Sequence, residues 1–293
     1  MSRRLRLDAE LVRRDLARSR DHAATLITDG LVFIAGARAS KPATGVTTDQ
    51  AIVVKATDEP TWASRGAHKL LGALAVFTPQ GLSVEGRRCL DAGASTGGFT
   101  DVLLRRGARE VVAVDVGYGQ LVWALQSDDR VHVVDRTNVR HLEVDDIGGP
   151  VSLVVSDLSF ISLTVVMPAL TRVCEPSSSD HGSSDHGSSD NGGGDIVLMI
   201  KPQFEVGREN LGKNGVVRDP GLHAEAVHRV CQSAHAIGWG TRALAPSPLP
   251  GPAGNVEYFC WLRTDAPAPE ESAAHAVVTA GPLVTSDRER ERA

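Results

Sequence analysis

The stretch CLDAGASTGGFTDVLL, residues 89–104, sets a short apolar run, a glycine-rich turn and an amphipathic helical pattern in direct succession. That order lets a backbone approach a ligand closely at the turn. A dinucleotide fingerprint would read G-x-G-x-x-G and a phosphate loop would end in G-K-[ST]. This turn instead reads Gly93, Ala94, Ser95, Thr96, Gly97, Gly98, Phe99. S-adenosylmethionine carries no phosphate; it needs backbone contacts to its methionine part and an acid for its ribose hydroxyls. Asp115, which ends EVVAVD, stands where a second strand would supply that acid. Thr137 and Asn138, after VHVVDR, are placed at the adenine edge.

Outward from this turn, strand-like and helix-like runs alternate. RRCLDA, EVVAVDV, VHVV, VSLVVSD and DIVLMIK are short and β-rich, and they are separated by helical stretches such as GGFTDVLLRRG and GLHAEAVHRVCQSAHAIG. The order predicts a parallel, doubly wound sheet. TRALAPS and NVEYFCWLR lie close together near the end and read as a final antiparallel pair. The predicted fold class is therefore α/β, a Rossmann-like SAM-dependent methyltransferase sheet with an antiparallel last strand. Asp157 and Lys201 directly follow apolar strand runs, at the carboxyl edge where such sheets place ligands. With Lys69 in SRGAHKL and Glu257 in NVEYF they make two lysines and two carboxylates, each beside a recognisable segment.

At 293 residues the chain has room for one full α/β domain and a small appendage. Apolar content of 42% and charge of 23% are ordinary for a globular protein, and no apolar run reaches bilayer-spanning length. The basic start, MSRRLRLDAELVRR, lacks the apolar core of a secretory signal, so cytoplasmic residence is expected. Cys89, Cys174, Cys231 and Cys260 show no paired spacing and read as reduced packing residues. SSSDHGSSDHGSSDNGGGD, residues 177–195, is a low-complexity insert expected to be a mobile surface loop. His181 and His186 on such a loop make a poor preformed metal site, and no metal is expected. Residues 265–293, rich in Ala, Pro and Glu, read as a disordered tail. GRENLGKNGVVRDP, residues 207–220, has two open readings, a lid over a substrate and a plain exposed loop.

Net charge is −5, yet the first twenty residues hold seven arginines against three carboxylates, a local +4. A basic face follows. ARSRDHAATLITDG has helical spacing, while LVFIAG and QAIVVK alternate like strands. The series S-R-x-x-A-x-x-L-I-x-x-G-x-V-x-I-x-G over 19–36, followed by Lys41-Pro42, resembles the αL RNA-binding motif of a ribosomal protein and several rRNA-modifying enzymes. It departs at Ala35, where that motif carries Asn or Asp before the turn glycine. The expected organisation is an αL-type RNA-binding α+β domain over 1–58, a linker over 59–63 and a methyltransferase domain over 64–264.

From the αL motif through GASTGGF, DLSFIS, KPQFE and GNVEYF, the chain resembles the TlyA family, whose methyltransferase domain is of the FtsJ type. The resemblance implies SAM-dependent 2′-O-methylation of cytidine in 16S and 23S rRNA on ribosomal subunits. It implies Lys69, Asp157, Lys201 and Glu257 as the catalytic set, and Arg4, Arg6, Arg18, Arg20, Lys41 and Arg65 as rRNA contacts. A monomer is expected, with no membrane partner. A free lysine, with pKa near ~10.4, is neutral about once in two thousand at pH 7. Lys69 would lower the Lys201 pKa and the carboxylates would raise it, so the sequence leaves base and orienting cation both open. Two other classes stand beside this reading: a ribosome-binding assembly factor with a vestigial methyltransferase fold, and the membrane-active hemolysin that some family names suggest. A base-amine methyltransferase would carry Asn/Asp-Pro-Pro-aromatic where this chain has DLSF.

Overall fold

The computed structural model describes residues 4–17, 20–28, 30–55, 62–175 and 193–281, and the chain divides into two compact units, Met1–Arg65 and Gly66–Ala293. In the first, β1 (Leu5–Arg6), α1 (Leu7–Arg13), α2 (Arg20–Thr28), β2 (Val32–Ile34), β3 (Ala37–Arg38), β4 (Gly45–Val46) and β5 (Ile52–Val54) follow in order. β2 pairs antiparallel with β3 and β5, and β1 with β4. Leu7, Leu11, Ala23, Ile27, Val32, Val46 and Ile52 form one core. Burying each larger aliphatic side chain contributes about 1.5–3 kcal/mol. The β2–β3 turn puts Ala35 at φ +47° and Gly36 at φ +85°, the left-handed pair a two-residue hairpin needs. Ala35 bears this without a polar side chain, at a cost of about 1–2 kcal/mol. Local periodicity predicts helices first, whereas the described chain begins with β1, whose pairing with β4 is a contact across forty residues of sequence that periodicity does not carry.

The second unit opens with α3 (Gly66–Phe77). It continues through β6 (Arg88–Ala92), α4 (Gly98–Arg105), β7 (Glu110–Val114), α5 (Trp123–Gln126), β8 (Val131–Val134), β9 (Leu153–Ser156) and α6 (Leu163–Val173). It ends with β10 (Asp195–Ile200), α7 (Pro202–Glu205), α8 (Pro220–His235), β11 (Gly240–Pro246), β12 (Tyr258–Arg263) and α9 (Glu271–Ala280). The seven strands lie in the order β11-β12-β10-β9-β6-β7-β8. β6 to β10 are parallel, while β12 runs antiparallel to both β10 and β11. The winding reverses between β6 and β9, and such a switch point opens a crevice beyond the carboxyl ends of the strands. Beneath it, Leu90, Val112, Val154, Ile196, Leu198 and Tyr258 belong to one buried core with residues of α6 and α8.

Three expectations are corrected. The tail is not disordered from 265: α9 places Ala274, Val277 and Val278 at helical spacing in the core, and Thr241 N bonds Pro267 O beside it. Composition hid this face, because alanine and valine alternate there with polar residues. Asp195 belongs to β10 rather than to the insert, since it accepts from Arg87 at 2.5 Å, Trp261 Nε1 at 2.6 Å and Arg263 at 3.2 Å. Glu257 immediately precedes β12 instead of lying within the strand. The rest of the insert through 192, Arg18, linker residues 59–61 and tail residues 282–293 lie outside the described residues.

Candidate active site

The glycine-rich turn folds back over β7: Gly93 N and Ala94 N both donate to Val114 O, at 2.9 and 3.1 Å. Gly93 has φ +87°, and a Cβ there would stand 3.1 Å from Asp157 O and from Leu158. Gly97 has φ +96°, and a Cβ would meet Leu125 at 2.3 Å. Both positions require glycine for conformation and for space. Asp115 is fixed at the tip of β7, with Oδ2 accepting from Ser95 N at 2.8 Å and Oδ1 from Gly117 N at 2.7 Å. Each oxygen keeps a lone pair for a ligand hydroxyl.

A cavity of about 500 Å³ opens above the turn, and Gly93, Ser95, Asp115, Thr137, Asn138 and Asp157 all line it. Its wall also includes Val116 and Gln120, which no motif marks, and Leu158, Ser159, Phe160 and Ile161 of the DLSFIS segment, where Asp157 alone stands out in the sequence. Among the described residues, two carboxylates and no lysine or arginine line it. That donor set fits a cationic sulfonium bearing a ribose and disfavours a phosphate. Among the other residues expected at the cofactor, Phe99 is buried against Phe259 with ring centroids 6.2 Å apart, Gly98 begins α4, and Ala94, Thr96 and Gly97 shape the turn without lining the cavity.

At the carboxyl edge the four expected polar residues form two ion pairs. Lys201 Nζ lies 2.6 Å from Asp157 Oδ1 and donates to Ser159 Oγ at 2.8 Å; the side chains are 8% and 24% exposed for Lys201 and Asp157. Lys69, on α3, donates to Glu257 Oε2 at 2.5 Å, with 5% and 1% exposure. The register pairs Ile200 with Tyr258, so one step on from β10 and one step back from β12 bring Lys201 opposite Glu257. Pro202 starts α7 and fixes the exit from β10 directly after the lysine. Glu205, at the end of α7, accepts from Ser162 Oγ at 2.5 Å and Leu163 N at 2.8 Å, tying the KPQFE segment to the DLSFIS segment. Burial pushes the Glu205 carboxyl above its usual range, against these hydrogen bonds. Asn255 accepts from Val217 N and donates to Gly215 O, each at 3.0 Å, so the 207–220 loop is pinned to the chain just before Glu257.

Backbone strain gathers at this mouth. Ser95, Arg136 and Phe160 have φ of +46°, +57° and +65°. Non-glycine residues hold this conformation only where the surroundings over-determine it, and such sites cluster at function. Phe160 is 91% exposed, with its ring centroid 5.3 Å from that of Phe204. Arg136 lies over the exposed ring of Tyr118 at 4.2 Å. Asp91, inside β6, is a further acid that reads in the sequence as an ordinary strand residue. It is buried, its Oδ2 accepts from Thr100 Oγ1 at 2.7 Å, and its Oδ1 has no partner among the described residues. Burial raises its pKa to about 7 despite the Thr100 bonds, with Asp157 and Asp115 adding smaller upward pushes.

In the first unit Arg4, Arg6, Arg20 and Lys41 are exposed, as is Arg65. Asp8 and Glu10 are buried beneath this face, and paired arginines hold both carboxyls down at about 2. Among the described residues no helix is long and apolar enough to cross a membrane, and no His/Cys/Asp/Glu group is arranged to hold a metal.

The FtsJ-like methyltransferase family matches residues 62–264, and the S4 domain family matches residues 5–52. A 16S/23S rRNA (cytidine-2′-O)-methyltransferase TlyA of Mycobacterium tuberculosis is 52% identical over 287 residues, 96% of this chain and 100% of its own. Hemolysin A of Brachyspira hyodysenteriae is 34% identical, over 87% of this chain and 98% of its own. A solved structure from Streptococcus thermophilus, provisionally named a hemolysin, superposes with a TM-score of 0.73 at 35% identity and covers all of both chains. With an S4 domain ahead of an FtsJ-like sheet, the chain belongs to the TlyA family of methyltransferases.

Proposed function

We propose that this chain transfers the methyl group of S-adenosylmethionine to the 2′-hydroxyl of a cytidine in rRNA, acting on 16S and 23S rRNA within ribosomal subunits. The observation that carries the reading is Lys201, held between Asp157 and Ser159, two residues that line a cavity with carboxylates and no lysine or arginine among its described lining residues. The relative from Mycobacterium tuberculosis, named for that activity on both rRNAs, supports it.

S-adenosylmethionine, when bound, supplies an electrophilic methyl on a cationic sulfur. Asp115, whose two oxygens are fixed by Ser95 N and Gly117 N at the cavity wall, would accept the ribose hydroxyls of the donor. Lys201 as an ammonium has three N–H donors, of which Asp157 and Ser159 take two. The third holds the substrate oxygen in line, where alignment alone lowers the barrier substantially. As the new C–O bond forms and the sulfur–methyl bond breaks, leaving S-adenosylhomocysteine as a neutral thioether, the hydroxyl proton is given up; Asp157, beside the same ammonium, would be the acceptor nearest to hand. Glu257, which the β10–β12 register sets opposite Lys201, is held by Lys69 in a pair that is itself almost fully buried. Phe160 offers an exposed ring at the rim on which an unstacked base can lie, as single-stranded RNA recognition commonly requires.

The test is transfer of radiolabelled methyl to purified, unmodified 30S and 50S subunits by the wild type and by Lys201→Ala at matched donor occupancy. Label on both subunits with wild type alone is expected. Donor binding without label on either subunit would favour the assembly-factor reading, and leakage of pure liposomes by the purified protein would favour the membrane-active one.

A further inference from the structure

We propose that Asp8 is a positioning residue that presets Arg6 and Arg20 as a single two-guanidinium grip for an RNA phosphate. The proposal rests on the rRNA reading above and deepens it. Arg6 lies in β1 and Arg20 begins α2, so the sequence gives no reason for them to act together. Asp8 joins them. Its Oδ1 accepts from Arg6 Nε at 3.0 Å and from Ala9 N at 2.8 Å; its Oδ2 accepts from Arg6 Nη2 at 2.9 Å and Arg20 Nη2 at 3.0 Å. The carboxylate is thus anchored to its own helix and shared by both guanidiniums.

Exposure gives the arrangement its direction. Asp8 is 6% exposed, while Arg6 and Arg20 are 52% and 59% exposed. Two outward cations against one inward anion leave a net positive charge on the surface, and Arg6 Nη1 has no acceptor among the described residues. A planar guanidinium with free N–H groups matches a phosphate oxygen pair. Arg14 shows the contrast: it bonds Glu10 and the backbone oxygens of Gln50, Thr47 and Thr48, so its donors are consumed within the fold. Without Asp8 the two like-charged, rotamer-rich side chains would have to be ordered at the moment of binding, which weakens association.

The sign of the effect makes this testable, because the two explanations of Asp8 predict opposite outcomes. If Asp8 were only a negative charge near RNA, Asp8→Asn would tighten binding to a polyanion. If Asp8 sets the grip, Asp8→Asn weakens binding by about threefold to tenfold, and the plot of log affinity against log salt becomes shallower by about one unit. The measurement is salt-dependent binding of the full-length protein to unmodified 30S and 50S subunits. Asp49→Asn, which removes an exposed charge from the same unit, serves as the charge control. In an Arg6→Ala/Arg20→Ala background the Asp8→Asn effect should vanish, whereas a folding defect would persist. Tighter or unchanged binding by Asp8→Asn, or an effect that survives in the double-arginine background, overturns the proposal. Wild-type affinity and slope in Arg6→Ala/Arg20→Ala would instead remove the RNA role of this face altogether.

Discussion

The two units use the same chemical pair, a carboxylate and a basic side chain, turned in opposite directions. In the first unit the acids are inside: Asp8 and Glu10 are buried, and Arg6, Arg13 and Arg20 reach outward from them. At the site of the second unit one pair is turned the other way: Lys201 is 8% exposed and its partner Asp157 24%, while Lys69 and Glu257 are buried together. Outward cations suit a polyanion backbone, whose contacts are many and wet. Inward cations beside a small cavity suit one reacting oxygen, where exclusion of water strengthens each hydrogen bond. The accessible partner of an ion pair therefore indicates what the surface meets.

The largest expected effect breaks the comparison on its catalytic side. Lys201→Ala should lower the single-turnover methyl-transfer rate by about 10²–10⁴-fold while shifting the melting temperature little, because Asp157 retains access to water. A rate within threefold of wild type would mean that the inward lysine does not act on the reaction. Lys69→Ala should do something different. It leaves Glu257 buried without its cation, and losing one partner of such a pair costs about 3–5 kcal/mol, visible as a large drop in denaturation midpoint. Pairing Lys69→Met with Glu257→Gln should restore much of that stability without restoring activity. Recovery of activity in the double variant would make the pair merely structural.

A smaller effect sharpens the contrast through pH. Asp91 is held near 7 by burial, against about 3.9 unfolded. Between those values the native state keeps a proton that the unfolded chain has lost, so this group makes the second unit less stable as pH rises from about 4 to about 7. Asp91→Asn should flatten that dependence, read by the fluorescence of buried Trp261; an unchanged slope would show that Asp91 is already ionised in the native state. Asp8 and Glu10 work in the other direction. Arginine bonds hold them at about 2, so their contribution is present above the unfolded range near 4 and is lost as pH falls toward 2. Amide exchange in α1 should accelerate over that window, and Glu10→Gln should reduce the change.

What the sequence made legible was whatever a parallel sheet forces into local order. The turn from Gly93 to Gly98 follows a strand and opens a helix, and Asp115, Asp157 and Lys201 each end or follow an apolar run. Those positions are fixed by one strand at a time, so a one-dimensional pattern can carry them. Val116 after β7 and Leu158 and Phe160 after β9 line the cavity because those strand ends meet in space; their apolar side chains, unlike the adjacent Asp115 and Asp157, carry no chemical signal of that role. Asp91 and Asp8 were hidden for a different reason. Both look like ordinary residues of their elements, and only burial and the partners around them reveal unusual acids. The αL resemblance located the arginines of the basic face, but the bonds separating Arg14 from Arg6 and Arg20 run to backbone oxygens distant in sequence.

The central claim is methyl transfer to a ribose oxygen, and the chemistry of the product tests it most directly. Radiolabelled rRNA from wild-type reactions would be hydrolysed in alkali, which cleaves only beside a free 2′-hydroxyl, and the labelled fragments would be sized and their nucleosides identified. Label in alkali-resistant dinucleotides containing 2′-O-methylcytidine is the predicted result. Label released as mononucleotides carrying a methylated base would contradict the account.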